Sequence, residues 1–370
     1  MLLVLRACGS GGNPACGGGA WRAGGGGTRG GGARVEGLDV TSPLMLVAVT
    51  IALAVIVAPI PAAAQQAPKV WRIGLLDMGR ASALESHPYH KPFMQGLQEH
   101  GYISGKNIMI EYRGAEGRQE RLPELAIELV RLGVDILVAA GTLSTLAAQH
   151  ATTTIPIVMV AVGDPVGTGF AATLAHPGGN ITGLSDVNPD LSAKRLELLK
   201  EVIPKLVRAA VLLNPAHPPN VRQLEETRAA ARTFGVALQT LEVRGSDDLE
   251  RAVGAAARAR AGAVIILPDA FTVSRGDQIA ELAARHRLPT MFSARAQVVA
   301  GGLMAYGASL PALFRRATTY IDKLLKGAKA GDLPIEQPTQ FELVINLKTA
   351  KALDLTIPQS VLLRADEVIQ

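Results

Sequence analysis

The chain has 370 residues, a formal net charge of +5, 39 glycines, two cysteines and only 4% aromatic residues. Lys and Arg are scattered rather than clustered, and so mild a charge argues against nucleic acid as a partner. Both cysteines, Cys8 and Cys16, fall in the Gly-rich opening, so the rest of the chain has neither a disulfide framework nor a thiolate metal site.

Residues 1–43 read as a disordered leader or as sequence upstream of a wrongly assigned start, with Met45 as an alternative start. Fourteen of the glycines lie in residues 1–37, without apolar periodicity. Residues 44–60 ("LMLVAVTIALAVIVAPI") are apolar apart from Thr50 and Pro59, and "PAAAQQ" follows. An apolar core ahead of small residues predicts a secretory signal peptide over 44–64, cleaved after Ala64, rather than an anchor; 17 residues are short for spanning. Cleavage would leave 306 residues with a net charge of +3, enough for two domains in the periplasm.

Beyond this, short apolar runs alternate with amphipathic stretches. Strands are predicted at 71–76 ("WRIGLL"), 108–112, 135–139 and 157–162, with helices at 92–101, 122–132 and 142–151 between them. About 30 residues per unit implies a parallel sheet covered on both faces. Residues 180–185 ("NITGLS") read as a crossover, after which the rhythm repeats. Helices are predicted at 191–203, 220–234, 246–259 and 272–286, and strands at 209–213, 237–243, 263–267 and 290–292. The fold class is therefore α/β, in two open units of similar size.

Ligands of open α/β sheets sit at the carboxyl ends of the strands. The candidates are accordingly Asp77, Gly141 with Thr142, and Gly163 with Asp164 in the first unit; in the second they are Asn214, Pro268 with Asp269, and Ser293. Gly141-Thr142-Leu143-Ser144 opens a helix. The hydroxyls of Thr142 and Ser144 either cap it or hold an anion such as a carboxylate. Asp164 and Asp269 accept from a ligand ammonium or hydroxyl, or else serve their own turns. Phe170, Phe271, Phe292 and Tyr306 lie near the proposed cleft and suit either stacking or core.

No phosphate-loop, serine-hydrolase or zinc-protease motif is present. The segment 163–169 ("GDPVGTG") lacks the Lys-Ser/Thr of a phosphate cradle. His87 and His90 have no third ligand near them in sequence. No nucleophile or general base stands out, so no enzyme, no cofactor and no metal are expected.

Several long stretches carry a resemblance: 152–185 ("TTTIPIVMVAVGDPVGTGFAATLAHPGGNITGLS"), 194–205 ("KRLELLKEVIPK"), 210–215 ("AVLLNP"), 301–307 ("GGLMAYG") and 332–358 ("DLPIEQPTQFELVINLKTAKALDLTIP"). They resemble the ABC-transporter substrate-binding protein family that includes tryptophan/tyrosine-type binding proteins. The resemblance implies a type I periplasmic binding protein, with two Rossmann-like lobes of parallel sheet joined by a three-crossover hinge. Lobe 1 would span 65–183, completed by about 310–333; lobe 2 would span 184–306, completed by about 336–370. The crossovers would lie near Gly183, 306–310 and 334–339. It further implies a monomeric solute-binding component that closes on a small-molecule solute, expected to be amino-acid-like, and delivers it to an ABC permease with its ATPase. Membrane contact would come only through that permease. A sensory module serving a receptor or kinase is the alternative. The ligand-binding set is Asp77, Gly141, Thr142, Ser144, Asp164, Asn214, Asp269 and Tyr306; the solute itself, the cognate permease and the individual hinge residues are not legible in the sequence.

Overall fold

The computed structural model describes residues 69–79, 85 and 89–370. The leader, the signal-peptide segment and His87 lie outside the described residues.

The first sheet is wholly parallel, in the order β2-β1-β3-β4-β5. Its strands are β1 (Trp71–Asp77), β2 (Ile108–Gly114), β3 (Ile136–Ala140), β4 (Ile157–Val162) and β5 (Ile181–Ser185). Helices α1 (His90–Glu99), α2 (Leu122–Arg131) and α3 (Thr142–Ala151) connect the first four. The strands are nearly continuous Val, Ile, Leu and Ala because helices cover both faces. Residues 181–185, expected to be a crossover, instead form the edge strand β5, with Gly183 at its centre. The β4–β5 register slips between Met159 and Val162, where Ala161 adopts φ 58°. This bulge terminates regular pairing at the carboxyl end of the sheet.

The chain leaves the first lobe after Ser185, passes through a 3-10 turn (Asn188–Leu191) and enters α4 (Ser192–Val202). The second lobe contains β6 (Arg208–Leu213), α5 (Pro219–Phe234), β7 (Ala237–Glu242), α6 (Asp247–Arg258) and β8 (Val264–Ile266). It continues through α7 (Ala270–Ser274), α8 (Gly276–Arg285), β9 (Thr290–Phe292), α9 (Arg295–Val299) and β10 (Met304–Ala308). The single helix expected over 272–286 is thus two, broken at Arg275 (φ −110°, ψ 18°). Asp269 starts the first piece early through a reciprocal capping box with Thr272.

After β10 the chain returns to the first lobe as α10 (Leu310–Leu325), which packs on α1, β4 and β5. A third crossover, bridged at Leu184–Glu336, brings it back to β11 (Phe341–Asn346). Next come α11 (Leu347–Ala352), α12 (Gln359–Leu362) and β12 (Glu367–Ile369), giving the order β12-β11-β10-β9-β8-β6-β7. β11 runs antiparallel to β10, with Phe341 opposite Ala308. The chain left this sheet at the carboxyl end of β10 and re-enters there, so the returning strand must run the other way.

Candidate functional site

Because all three crossovers leave and enter at the carboxyl ends of the strands, those ends face one another across the hinge. A cavity of about 380 Å³ lies between them, within the size range of small-ligand sites. The first lobe contributes the turn after β1 (Asp77, Met78, Gly79), Tyr112 of β2, the β3–α3 junction (Ala140, Gly141, Thr142) and the bulged end of β4. The second contributes Asp269, Gln223, His217 and Ser293, and the first crossover adds Asp186 and Asn188.

Gly141 sits at φ 83°, in the left-handed region that favours glycine, and a Cβ there would meet the Ala270 methyl at 3.1 Å. Only glycine permits the two lobes to approach so closely at this point. No side chain caps α3, so its first-turn N–H groups and the helix dipole remain available to an anion. The Thr142 hydroxyl is buried in the cavity wall and has no hydrogen-bond partner among the described residues.

Opposite lies Asp269, 6% exposed. Its Oδ1 accepts from the Thr272 backbone N–H at 2.6 Å, whereas Oδ2 is buried and has no partner among the described residues. Gln223 donates through Nε2 to the Pro268 carbonyl at 3.3 Å and to Asn220 Oδ1 at 3.2 Å, which leaves Oε1 buried and unpartnered. Two orphan acceptors on one lobe thus oppose a helix N-terminus with an orphan hydroxyl on the other. Buried polar atoms left unpaired in a cavity wall mark where a ligand's polar groups belong.

His217 Nδ1 lies 3.1 Å from Asn220 Oδ1, while the Asn220 amide nitrogen donates to the Asn214 carbonyl at 2.9 Å. This places the ring proton on Nδ1 and leaves Nε2 as an acceptor in the neutral ring. Asp186 accepts from the Asn188 backbone at 3.0 Å and from its side-chain amide, so its oxygens are already engaged. Arg195, 1% exposed, donates to the Asn188 side chain and carbonyl and, at 2.8 Å, to the Tyr306 carbonyl. It therefore pins the first crossover to the strand that leads into the second. Burial pushes the Asp186 carboxyl up and the Arg195 guanidinium down from their ordinary ranges.

The other wall is aromatic. Tyr89 stacks on Phe314 with centroids 5.0 Å apart, and Tyr112 donates to Asp77 Oδ1 at 2.8 Å. Burial, and for Tyr112 the neighbouring Asp77, raises both phenols well above their ordinary range. Both are neutral donors at physiological pH.

Of the residues singled out from sequence, Asp77, Gly141, Thr142, Gly163, Pro268, Asp269 and Ser293 line the cavity. Four do not. Ser144 is buried within α3. Asp164 serves its own turn, Oδ1 accepting from the Gly167 N–H at 2.9 Å, and Arg222 approaches it at 3.7 Å. Asn214 caps its loop by accepting from the Ala216 N–H at 3.0 Å. The Tyr306 ring packs against Phe341 at 6.1 Å, and its contribution here is the carbonyl that receives Arg195. Phe170, Phe271 and Phe292 are core residues. Sequence reasoning missed Tyr89, Tyr112, Asp186, Asn188, His217, Gln223 and Phe314. One signal was available: reading 181–185 as a strand would have made Asp186 a strand-end residue.

Comparison with known proteins bears on what such a cavity holds. The profile of the ABC transporter substrate binding protein family matches residues 86–369. A tyrosine-binding protein of Clostridioides difficile (strain R20291) is 29% identical over 279 residues, covering 74% of this chain and 80% of that protein. A conserved domain protein from Vibrio cholerae superposes with a TM-score of 0.75 at 29% identity, covering 81% of this chain and all of that one. An ABC domain from Streptococcus pneumonia in complex with L-Trp gives a TM-score of 0.74, also at 29% identity, over 81% of this chain and 100% of that one.

Proposed function

This chain belongs to the ABC transporter substrate binding protein family, and from that premise we propose that its cavity binds an aromatic α-amino acid, tryptophan or tyrosine, as the zwitterion. As a member of the family it is the solute-binding component of an ABC transporter, a role in which it captures solute rather than transforming it. The observation that carries the ligand reading is the pair of orphan acceptors, Asp269 Oδ2 and Gln223 Oε1, facing the open N-terminus of α3 and Thr142. Ammonium and carboxylate on one carbon match acceptors and donors set on opposite walls of a narrow gap. The ring would lie toward Tyr89 and Phe314, where burial of an aromatic face is favourable. The tyrosine-binding relative and the tryptophan complex support this choice.

In this reading solute contacts both lobes at once, so binding favours the closed arrangement over an open one and the permease reads the closed shape. The protein acts as a monomer in the periplasm, exported by a signal peptide over 44–64. The apolar run and the small residues before Gln65 support that route. Among the described residues no helix is long and apolar enough to cross a membrane.

Calorimetry with L-tryptophan, L-tyrosine, tryptamine and indole-3-propionate tests the ligand reading. The two amino acids should bind, and the analogues lacking carboxylate or ammonium should bind at least tenfold more weakly, given about 1.5–3 kcal/mol for a charge-assisted hydrogen bond. Equal affinity for all four would overturn it.

A further inference from the structure

The cleft opens opposite the hinge, and there side chains span the lobes: Asn214 donates to Gln119 Oε1 at a long 3.4 Å, and Arg275 makes a shorter bond. Arg275, the residue that breaks α7 from α8 in the second lobe, donates through its guanidinium to the Glu116 carbonyl of the first lobe at 2.8 Å. Gly117 lies flat beneath it, since a Cβ at that position would meet the guanidinium nitrogen at 2.6 Å. Among the described residues no carboxylate pairs with Arg275. The Glu116 side chain is turned to Arg121 at 3.0 Å and Arg118 at 3.2 Å. The cation is therefore committed to a backbone carbonyl across the cleft.

Each end of this contact is tied to the cavity. On the first lobe the 115–117 turn hangs on the cavity wall: Ala115, Glu116 and Gly117 donate their N–H groups to the carbonyls of Asp77, Gly79 and Met78 at 3.0, 2.7 and 2.9 Å. Those three acceptors belong to the turn that lines the cavity. On the second lobe α7 is one short rod, with Asp269 capping its start inside the cavity and Arg275 at its end on the opposite lobe. A group held by Asp269 and a group lodged against Met78 thus lie on the same two bodies that Arg275 fastens.

We propose that Arg275 is a positioning residue for solute binding: its bond to the Glu116 carbonyl latches the lobes shut over the cavity and slows solute release without touching solute. The inference rests on the reading of the cavity as the solute site. Because the bond forms only when the lobes meet, its loss destabilises the closed state alone. Solute enters an open cleft, so association is untouched while release, which requires opening, accelerates. One hydrogen bond from a charged, partly exposed donor corresponds to about a five- to thirtyfold change.

Stopped-flow binding of L-tryptophan and L-tyrosine should show Arg275→Ala raising the dissociation rate five- to thirtyfold, with the association rate within about twofold of wild type and the melting temperature of the ligand-free protein unchanged. Arg275→Lys, which retains a cationic donor, should recover most of the loss. Unchanged dissociation, or a fall in association and melting temperature alongside it, overturns the latch. A second measurement separates this from failure of the ligand reading. With Cys8 and Cys16 replaced by serine, spin labels at Ile127→Cys on α2 and Val299→Cys on α9 report the distance between the lobes. Arg275→Ala should shrink the short-distance population of the ligand-free protein by the same factor. If wild type binds neither amino acid, the ligand reading fails while this distance still judges the latch; identical distributions in the two proteins overturn it.

Discussion

Asp164 and Asp269 follow strands β4 and β8, one in each lobe, and their neighbours decide which is available to solute. Asp164 precedes Pro165-Val166-Gly167, whose turn folds back so that the Gly167 N–H takes its carboxylate. Asp269 precedes a helix, which takes one oxygen through the Thr272 N–H and leaves the other in the cavity. Asp269→Asn keeps the capping oxygen and removes the charge. We expect it to weaken binding of the amino acid by about ten- to a hundredfold, with the melting temperature of the free protein nearly unchanged. Calorimetry alongside thermal unfolding checks both halves. Thr142→Val is isosteric and removes only the orphan hydroxyl. It should cost about three- to tenfold in affinity, corresponding to a neutral hydrogen bond of about 1 kcal/mol, and leave α3 intact. Wild-type affinity in both variants would move the solute's polar end away from the gap between α3 and α7. At this scale the sequence was half legible: the strand-end rule names Asp77, Gly141, Thr142 and Asp269, but Ser144, Asp164 and Asn214 obey the same rule and lie off the cavity, Ser144 buried within α3, Asp164 holding the Gly167 N–H, and Asn214 bonded to the Ala216 N–H and to Gln119.

At the scale of elements, the hinge is built from strand ends and a helix that exchange partners across the lobes. Glu336, in the third crossover, accepts two hydrogen bonds from Arg316 of α10, both at 2.8 Å, and its segment pairs with Leu184 of β5. The guanidinium holds the Glu336 carboxyl below the ordinary glutamate range. A depressed folded-state value means the unfolded chain binds the proton first. The stabilisation is therefore complete above the ordinary glutamate range and is lost as pH falls through the lowered one. The pair is half exposed, so solvent screening limits it to roughly 0.5–1 kcal/mol. Glu336→Gln should lower stability by that amount at pH 7, and the difference from wild type should shrink as pH falls below the ordinary glutamate range. Urea unfolding across that pH range reads it, and a difference that does not shrink in acid would show that the charge is not its source. The expectation that 181–185 crosses between the lobes failed at this scale. "NITGL" carries too few residues to show strand periodicity, and its pairing with β4 comes from a segment more than twenty residues earlier.

For the whole molecule, binding solute to the folded state alone raises its stability by mass action. At a hundredfold excess over Kd the gain is about 2.7 kcal/mol. For a domain pair of this size that corresponds to a rise of about 4–8 °C in melting temperature. L-tryptophan or L-tyrosine should produce it and D-ribose should not. Export is tested separately. N-terminal sequencing of the periplasmic form should begin at Gln65, and a membrane-retained chain that still carries residues 44–60 would contradict the signal-peptide reading.

Most strands and helices up to residue 292, the α/β class and the two-lobe architecture were written in the sequence. Hydrophobic period, glycines at helix ends and long family-like stretches are local properties, each readable within some twenty residues. The cavity wall was not. Asp186, Asn188, His217 and Gln223 converge on it from a crossover, a loop and a helix face, and Tyr89 meets Phe314 across 225 positions of chain. Arg195 shows the same limit from the other side. In sequence it is one basic residue on an ordinary amphipathic helix, and only folding buries it where Asn188 and the Tyr306 carbonyl can hold a charge out of water. Which polar atoms stay unpaired after all such long-range bonds have formed is a property of the closed contact network, and that network exists only in three dimensions.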